Sequence, residues 1–136
     1  MNVISIDDYF MGRDKAYPRE WSFDIRDNAE LLLKRVNLLL AKFYADTGHP
    51  CPAVTSGWRT VEINRRVGGA SNSKHLSGEA IDLRDTDNAL DEWLLSPPGR
   101  MALVECNLYL EHPDNTFGWC HLQCCPPRSG NRVFRP

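Results

Sequence analysis

Three side chains that ligate metal ions well stand in two short stretches of this sequence. His75 and Asp82 lie seven residues apart, on either side of Gly78, in the stretch SKHLSGEAID. A loop histidine and a strand aspartate can converge on one ion when a glycine lets the chain bend sharply between them. In the strand-like stretch WCH at 119–121, alternation puts Trp119 and His121 on the same sheet face. Two nitrogen donors, one oxygen donor and an open fourth position are the composition of a catalytic zinc site.

Each of these residues also has an ordinary structural interpretation. A histidine in an apolar strand, such as His121, is more often a hydrogen-bonded core residue than a ligand. Asp82 is followed by Leu83 and Arg84, so it fits equally a surface carboxylate that pairs with an arginine. Spacing alone leaves both interpretations open.

The five cysteines suggest a different metal site, which the sequence disfavours. The stretch CHLQCC at 120–125 contains three of them, and the others are Cys51 and Cys106. A structural zinc site needs two Cys/His pairs at separated positions, and no CxxC partner occurs elsewhere. An odd cysteine count without an export signal favours reduced thiols over a disulfide framework.

Length and charge predict one domain over residues 1–136 and exclude several classes of partner. A chain of this length can bury a core without disulfides. The net charge of −2 provides no global positive field for nucleic acid or anionic lipid. The three arginines near the C-terminus (Arg128, Arg132 and Arg135) predict that residues 126–136 form a solvated tail.

The N-terminus and the hydropathy predict a protein that is made in a cytosol. Asp7 and Asp8 interrupt the region where a signal peptide needs an apolar run. No stretch approaches the ~18 apolar residues of a transmembrane helix, so no membrane partner is expected.

The hydrophobic pattern predicts an α+β fold, with helices packed on one side of a small, mainly antiparallel sheet. Residues 1–26 read as an irregular lead-in with one short helix near 6–11. A long helix is predicted from a capping box at Asp27 and Glu30 to Gly48. The other predicted elements are strands at 52–56, 78–83, 106–111 and 119–123, and helices at 60–67, 87–95 and 98–104.

The motifs together resemble a known family of zinc peptidases over roughly residues 28–123. SKHLSGEAID fits the SxHxxGxAxD pattern of the D-alanyl-D-alanine carboxypeptidase family, and WCH is similar to its WxH motif. The upstream stretch VTSGWRTVEINRRVGGASNSKHLSG resembles the branch typified by phage endolysins. The resemblance implies the fold shared by lysostaphin-type peptidases, D-Ala-D-Ala peptidases and the hedgehog domain. It also implies one zinc ion per chain, bound by His75, Asp82 and His121.

The same resemblance suggests substrate-binding residues. Arg59 stands where the family keeps an arginine that holds a substrate carboxylate, a role that suits a guanidinium. Ser73 resembles the family serine that assists this binding. Trp119 is expected to form a wall of the substrate groove. The ordinary alternatives are a surface arginine after a turn, a loop serine bonded to its own backbone, and a core tryptophan.

The general base is where this sequence departs from the usual pattern of the family. Many family members place an acid three residues before the last histidine, but that position here is Gly118. In the endolysin-like branch the acid ends the preceding strand instead, and Glu111 fits that arrangement. Asp114 is the second candidate, although turn chemistry explains it better. His112 is expected to cap the same loop.

The resemblance implies a zinc peptidase that cleaves peptidoglycan stem peptides at L-Ala-D-Glu or at D-Ala-D-Ala. We expect a monomeric phage or prophage endolysin, made in the host cytoplasm. It would act in the periplasm after a separate pore opens the inner membrane. The alternative is a non-catalytic, zinc-containing binding module of the hedgehog type, which the missing acid at Gly118 favours.

Overall fold

A five-stranded sheet with helices packed against it forms the frame of the protein. The computed structural model describes residues 3–136. Within them the strand order is β1-β2-β4-β3-β5, and the β3–β5 pair is parallel while the other pairs are antiparallel. This confirms the α+β class. The elements are α1 (Ile6–Phe10), α2 (Arg13–Ala16), α3 (Phe23–Thr47), β1 (Val54–Ser56), α4 (Val61–Arg66), β2 (Ala80–Arg84), α5 (Ala89–Leu95), α6 (Pro97–Glu105), β3 (Tyr109–Glu111), a 3₁₀ turn (Pro113–Asn115), β4 (Trp119–Gln123) and β5 (Val133–Phe134).

Strand alternation gives the centre of the sheet two different faces. Ile81 of β2 and Leu122 of β4 are fully buried in the apolar core, where α3 contributes residues such as Leu39. The alternate positions carry Asp82 and His121, which are register partners across the β2–β4 pair. One face therefore builds the core, and the other is left for polar side chains.

The N-cap of helix α3 lies five residues before the position that the sequence predicts. The Ser22 side chain accepts a hydrogen bond from the backbone N–H of Ile25 and caps the helix. Glu30 does not close a capping box with Asp27, because it pairs with Arg26 one turn earlier at 3.0 Å. The predicted end at Gly48 is confirmed. Within residues 3–136, neither α3 nor any other helix is long and apolar enough to span a membrane.

Several other boundaries differ from the prediction by a few residues. The strand predicted from position 106 begins only at Tyr109, because Cys106 forms the C-cap of α6 and Asn107 adopts a positive φ of 52°. The lead-in contains α1, as predicted, and also α2, which the pattern did not indicate. It is bound to the sheet through Tyr9, whose hydroxyl donates to the carbonyl of Ala80 at 2.9 Å.

The C-terminal segment (residues 126–136) is not the solvated tail that the sequence predicts. It contains β5, which adds to the edge of β3, and the N–H of Leu110 donates to the carbonyl of Arg132 at 2.9 Å. The Arg132 guanidinium lies 4.2 Å from the ring centroid of Tyr109, a cation–π contact. Arg135 pairs with Asp114 at 2.9 Å. Strand pairing with a distant segment explains why local composition was misleading here.

A buried carboxyl pair lies at the start of α5. Asp85 accepts hydrogen bonds from the backbone N–H groups of Leu90 and Asp91 and so caps the helix. The Asp91 side chain is buried, and neither of its oxygens has a hydrogen-bond partner among residues 3–136. Burial, together with the nearby Asp85 carboxylate, raises the pKa of Asp91 to about 7.

This arrangement predicts an unusual pH dependence of stability. The pKa of Asp91 is raised above its ordinary value of 3.8, so the folded state holds the proton more tightly than the unfolded state. The contribution of Asp91 to stability is fully present below about pH 4 and is lost as the pH rises towards 7. We expect Asp91→Asn to match the wild type at pH 4 and to exceed its free energy of unfolding at pH 8 by roughly 1–3 kcal/mol. Urea unfolding across this pH range measures the difference.

Glu92→Gln, on the exposed face of the same helix, is the matched control and should keep the pH profile of the wild type. Parallel profiles for Asp91→Asn and the wild type would show that folding does not raise the pKa of Asp91.

Candidate metal centre

The three predicted ligands meet at one point on the polar face of the sheet. The register pairs Asp82 with His121, and the loop before β2 supplies His75. Asp82 Oδ1 lies 2.8 Å from His121 Nδ1 and 3.2 Å from His75 Nε2. One ligand atom from each of the three residues lies within 4.8 Å of those of the other two. The cluster is buried and is positioned to bind a metal ion.

Hydrogen bonds outside the cluster orient both imidazoles as ligands. His75 Nδ1 lies 2.8 Å from the carbonyl oxygen of Gly57, which only accepts, so Nδ1 carries the hydrogen and the Nε2 lone pair faces Asp82. His121 Nε2 lies 3.0 Å from Gln123 Oε1, and the Gln123 amide donates to the carbonyl of Cys125 at 2.9 Å. His121 therefore donates through Nε2 and presents the Nδ1 lone pair to the cluster. A hydrogen-bonded second nitrogen is typical of a metal-binding histidine.

The sequence analysis missed Gly57 and Gln123. Gln123 was detectable, because it lies two residues after His121 on the same face of β4. Gly57 was not, because its role depends on a contact distant in the chain. A Cβ at this position would collide with the backbone carbonyl of Tyr9 in α1, so only glycine fits.

Electrostatics keep the oxygen ligand ionised. Burial alone raises the pKa of Asp82, but its contacts with the His121 and His75 rings outweigh this and hold it below its ordinary value. Burial lowers the pKa of His75. Burial also tends to lower the pKa of His121, but the contact of this ring with Asp82 has the larger effect, so the pKa of His121 is raised overall. An ionised carboxylate and two imidazoles form a donor set that fits zinc.

Arg59 lies beside the cluster and contacts it directly. Its Nη2 pairs with Asp82 Oδ2 at 3.1 Å, while Nε donates to Ser56 Oγ and Nη1 to Asn64 Oδ1. Asp82 is therefore not the surface carboxylate of the alternative interpretation: it is buried, one oxygen faces the histidines and the other pairs with Arg59. Arg59 retains further N–H donors and lines the adjoining cleft. Its predicted role towards a substrate carboxylate stays a prediction.

A cleft of about 1020 Å³ opens over the cluster. Its walls come from the loop at 67–75, from the polar face of the sheet and from the C-terminal segment. Ser73 and Trp119 line it, and their roles towards a substrate stay predictions. The Ser73 hydroxyl also accepts from the backbone N–H of His75 at 3.3 Å, so the ordinary loop-serine contact is present as well.

The two candidate bases are separated by their positions. Glu111 follows the β3–β4 pairs Tyr109–Gln123 and Leu110–Leu122 as the next residue of β3, and it lines the cleft together with His121. Burial raises its pKa above the ordinary value.

Asp114 is exposed and does not line the cleft; it pairs with Arg135. His112 caps the 3₁₀ turn as expected, accepting through Nδ1 from the backbone N–H of Asp114. The geometry favours Glu111 over Asp114.

The cysteine-based site finds no support in the structure. Cys120 is fully buried in the apolar core, on the face of β4 opposite His121. Among residues 3–136, the group formed by His75, Asp82 and His121 is the one cluster of His, Cys, Asp and Glu arranged to hold a metal ion.

Comparison with known families agrees with this geometry. A family model described as Peptidase M15 matches residues 19–111. The chain belongs to the M15 peptidase family. No match was found among curated proteins. Membership confirms the resemblance to D-Ala-D-Ala carboxypeptidase-type zinc enzymes and supports a zinc peptidase that acts on peptidoglycan. The match ends before His121, so the assignment of that ligand depends on the structure.

Metal binding can be tested by removing one ligand at a time. We expect His75→Ala and His121→Ala to lower the zinc content from about one ion per chain to near zero, because two remaining ligands bind zinc weakly. His112→Ala removes a histidine outside the cluster and should leave the zinc content unchanged. Elemental analysis of dialysed protein measures the metal, and circular dichroism checks that each variant is folded.

The cysteine alternative has its own test. Replacing Cys120, Cys124 and Cys125 together by alanine should leave the zinc content unchanged. Loss of the metal from a folded triple variant would transfer the site to the thiols.

Proposed function

We propose that this protein hydrolyses stem peptides of peptidoglycan, at the L-Ala-D-Glu or the D-Ala-D-Ala bond, with one zinc ion held by His75, Asp82 and His121. The observation that carries the proposal is the position of these three ligands at the floor of a cleft whose wall includes Glu111. Family membership supports the same class of substrate.

The chemistry divides between the ion and the protein. A bound zinc ion supplies Lewis-acid chemistry, which polarises a carbonyl and makes water nucleophilic near neutral pH. Glu111 acts as general base: one carboxylate oxygen takes a proton from the attacking water and returns it to the leaving amine. Its raised pKa suits both steps, because a base must also become an effective acid. Gly57 and Gln123 hold the two imidazoles in their ligand tautomers throughout.

Substrate positioning is assigned to residues along the cleft. Arg59 and Ser73 hold a carboxylate or carbonyl of the peptide so that the scissile amide lies over the cluster. Trp119 forms a flat apolar wall beside it. The ion pair between Arg59 Nη2 and Asp82 Oδ2, at 3.1 Å, supports this assignment because it holds the guanidinium next to the ligands.

The biological setting is proposed from the endolysin-like motifs. We assign residues 1–136 to a single zinc peptidase domain that acts as a monomer. It is a phage or prophage endolysin, made in the host cytoplasm, which reaches the periplasm after a separate pore opens the inner membrane. The N-terminal helices support the single-domain assignment because Tyr9 and Phe10 are buried in the same core as the sheet.

Digestion of purified peptidoglycan tests the activity and the bond together. We expect the zinc-loaded protein to release muropeptides with new amino groups, and a chelator to abolish the release until zinc is restored. Mass spectrometry of the fragments identifies the cleaved bond. A zinc-loaded, folded protein that releases nothing would favour the alternative, a hedgehog-like binding module, for which the absent acid at Gly118 is the supporting observation.

The general base has a separate test. Glu111→Gln keeps the shape of the side chain but removes its basicity, so we expect turnover to fall by about 10²–10⁴-fold while zinc stays bound. Asp114→Asn is the matched control, and we expect less than a twofold change. Steady-state kinetics on a defined stem peptide, with zinc analysis of each variant, measure both. Near-normal turnover by folded Glu111→Gln would exclude Glu111 as the base.

A further inference from the structure

The cleft carries a charge opposite to that of the whole chain. Its lining includes four basic side chains (Arg59, Lys74, Arg128 and Arg135) and two acidic ones (Asp82 and Glu111). The chain as a whole has a net charge of −2. A cleft with an excess of one sign of charge concentrates ligands of the other sign, so this cleft favours anions.

Two of the four cations are already paired within the protein. Arg59 pairs with Asp82 at 3.1 Å, and Arg135 pairs with Asp114 at 2.9 Å. Within residues 3–136, Lys74 and Arg128 have no ion pair and their side chains donate no hydrogen bond. Cationic groups that face a cleft without an internal partner are available to a ligand.

The wall that carries Arg128 is anchored on both sides of this residue. Pro126 and Pro127 restrict the backbone before it, and the N–H of Gly130 closes a turn on the carbonyl of Pro127 at 3.0 Å. After the turn, β5 pairs with β3, and Phe134 packs edge-on against the His121 ring with centroids 6.3 Å apart. This wall therefore contacts the ligand cluster directly.

Lys74 is placed by the motif that supplies a metal ligand. It directly precedes His75, and the N–H of Glu79 donates to its carbonyl at 3.0 Å, which fixes the backbone of the loop. Lys74 and Arg128 thus come from segments far apart in the sequence that meet around one cleft. Neither lies in the machinery that the metal chemistry uses.

We infer that Lys74 and Arg128 together form an anion subsite that binds a carboxylate of the peptide substrate, separate from the Arg59 position. This inference rests on the proposed function, because it names the part of a stem peptide that the cleft selects. Stem peptides retain carboxylates beside their amide bonds, on the glutamyl residue and at the chain end. A guanidinium binds a carboxylate through paired hydrogen bonds, and an ammonium adds a charge-assisted bond.

The test compares three synthetic stem peptides: one with both carboxylates, one with the glutamyl carboxylate amidated, and one with the terminal carboxylate amidated. For the wild type, we expect amidation of the carboxylate that the subsite binds to lower kcat/KM, and amidation of the other carboxylate to have little effect. Arg128→Glu should reduce this preference in kcat/KM by about tenfold. Lys74→Gln should act in the same direction, and Arg128→Lys should restore part of the preference. The effect should weaken as ionic strength rises.

Arg19→Glu is the matched control, because Arg19 is exposed outside the cleft and the substitution changes the net charge equally. Its preference should equal that of the wild type. Zinc analysis of Lys74→Gln excludes an indirect effect through His75. An unchanged preference in folded, zinc-loaded Arg128→Glu would overturn the subsite.

Calorimetric binding of the same peptides to zinc-loaded protein separates this inference from the proposed function. Charge-dependent binding that Arg128→Glu abolishes, without cleavage by the wild type, would retain the subsite and reject the peptidase. Cleavage with equal binding of all three peptides would retain the peptidase and reject the subsite.

Discussion

The Asp82 carboxylate is the contact on which the site depends. One of its oxygens lies within 3.2 Å of both imidazoles, and the other pairs with Arg59. This is possible only because the β2–β4 register sets Asp82 directly opposite His121. A slip of one residue would turn one of the two side chains into the apolar core, so the packing that fixes the register also fixes the site. The same β2–β4 register therefore determines both the packing of the core and the geometry of the ligands.

Residues that are not themselves ligands determine how the two histidines are oriented. Gly57 accepts from His75, and its position depends on α1, because the Tyr9 backbone packs where a side chain would otherwise be. Tyr9 also bonds to Ala80 at the start of β2, and burial raises the pKa of its hydroxyl, which stays a donor. The N-terminal helices thus support the polar face of the sheet from behind. Gln123, which is held in β4, orients the second imidazole in the same way, through the hydrogen bond that it accepts from His121 Nε2.

The features that local sequence determines were predictable, and those that depend on distant pairing were not. His75, Asp82 and His121 could be named as candidates because ligand chemistry and strand alternation are visible in short stretches, and the resemblance to zinc peptidases then favoured them over ordinary structural roles. The start of α3 was wrong because Ser22 and an ion pair between Arg26 and Glu30 compete with the Asp27 pattern. Strand β5 was missed because two residues carry no periodicity, and its stability comes from β3. Glu111 was identified by resemblance, but only the structure shows that it lines the same cleft as His121.

The departure from the family pattern at Gly118 now has a structural explanation. Gly118 adopts a φ of +88° in the turn before β4, a conformation that an acidic residue would adopt only with strain. An acid there would also lie outside the paired part of the sheet. Asp82 and His121 are instead register partners on β2 and β4, and Glu111 of the neighbouring strand β3 lines the same cleft. Side chains on hydrogen-bonded strands are positioned more precisely than side chains in a turn, so β3 is a better position than this turn for the proposed base, Glu111.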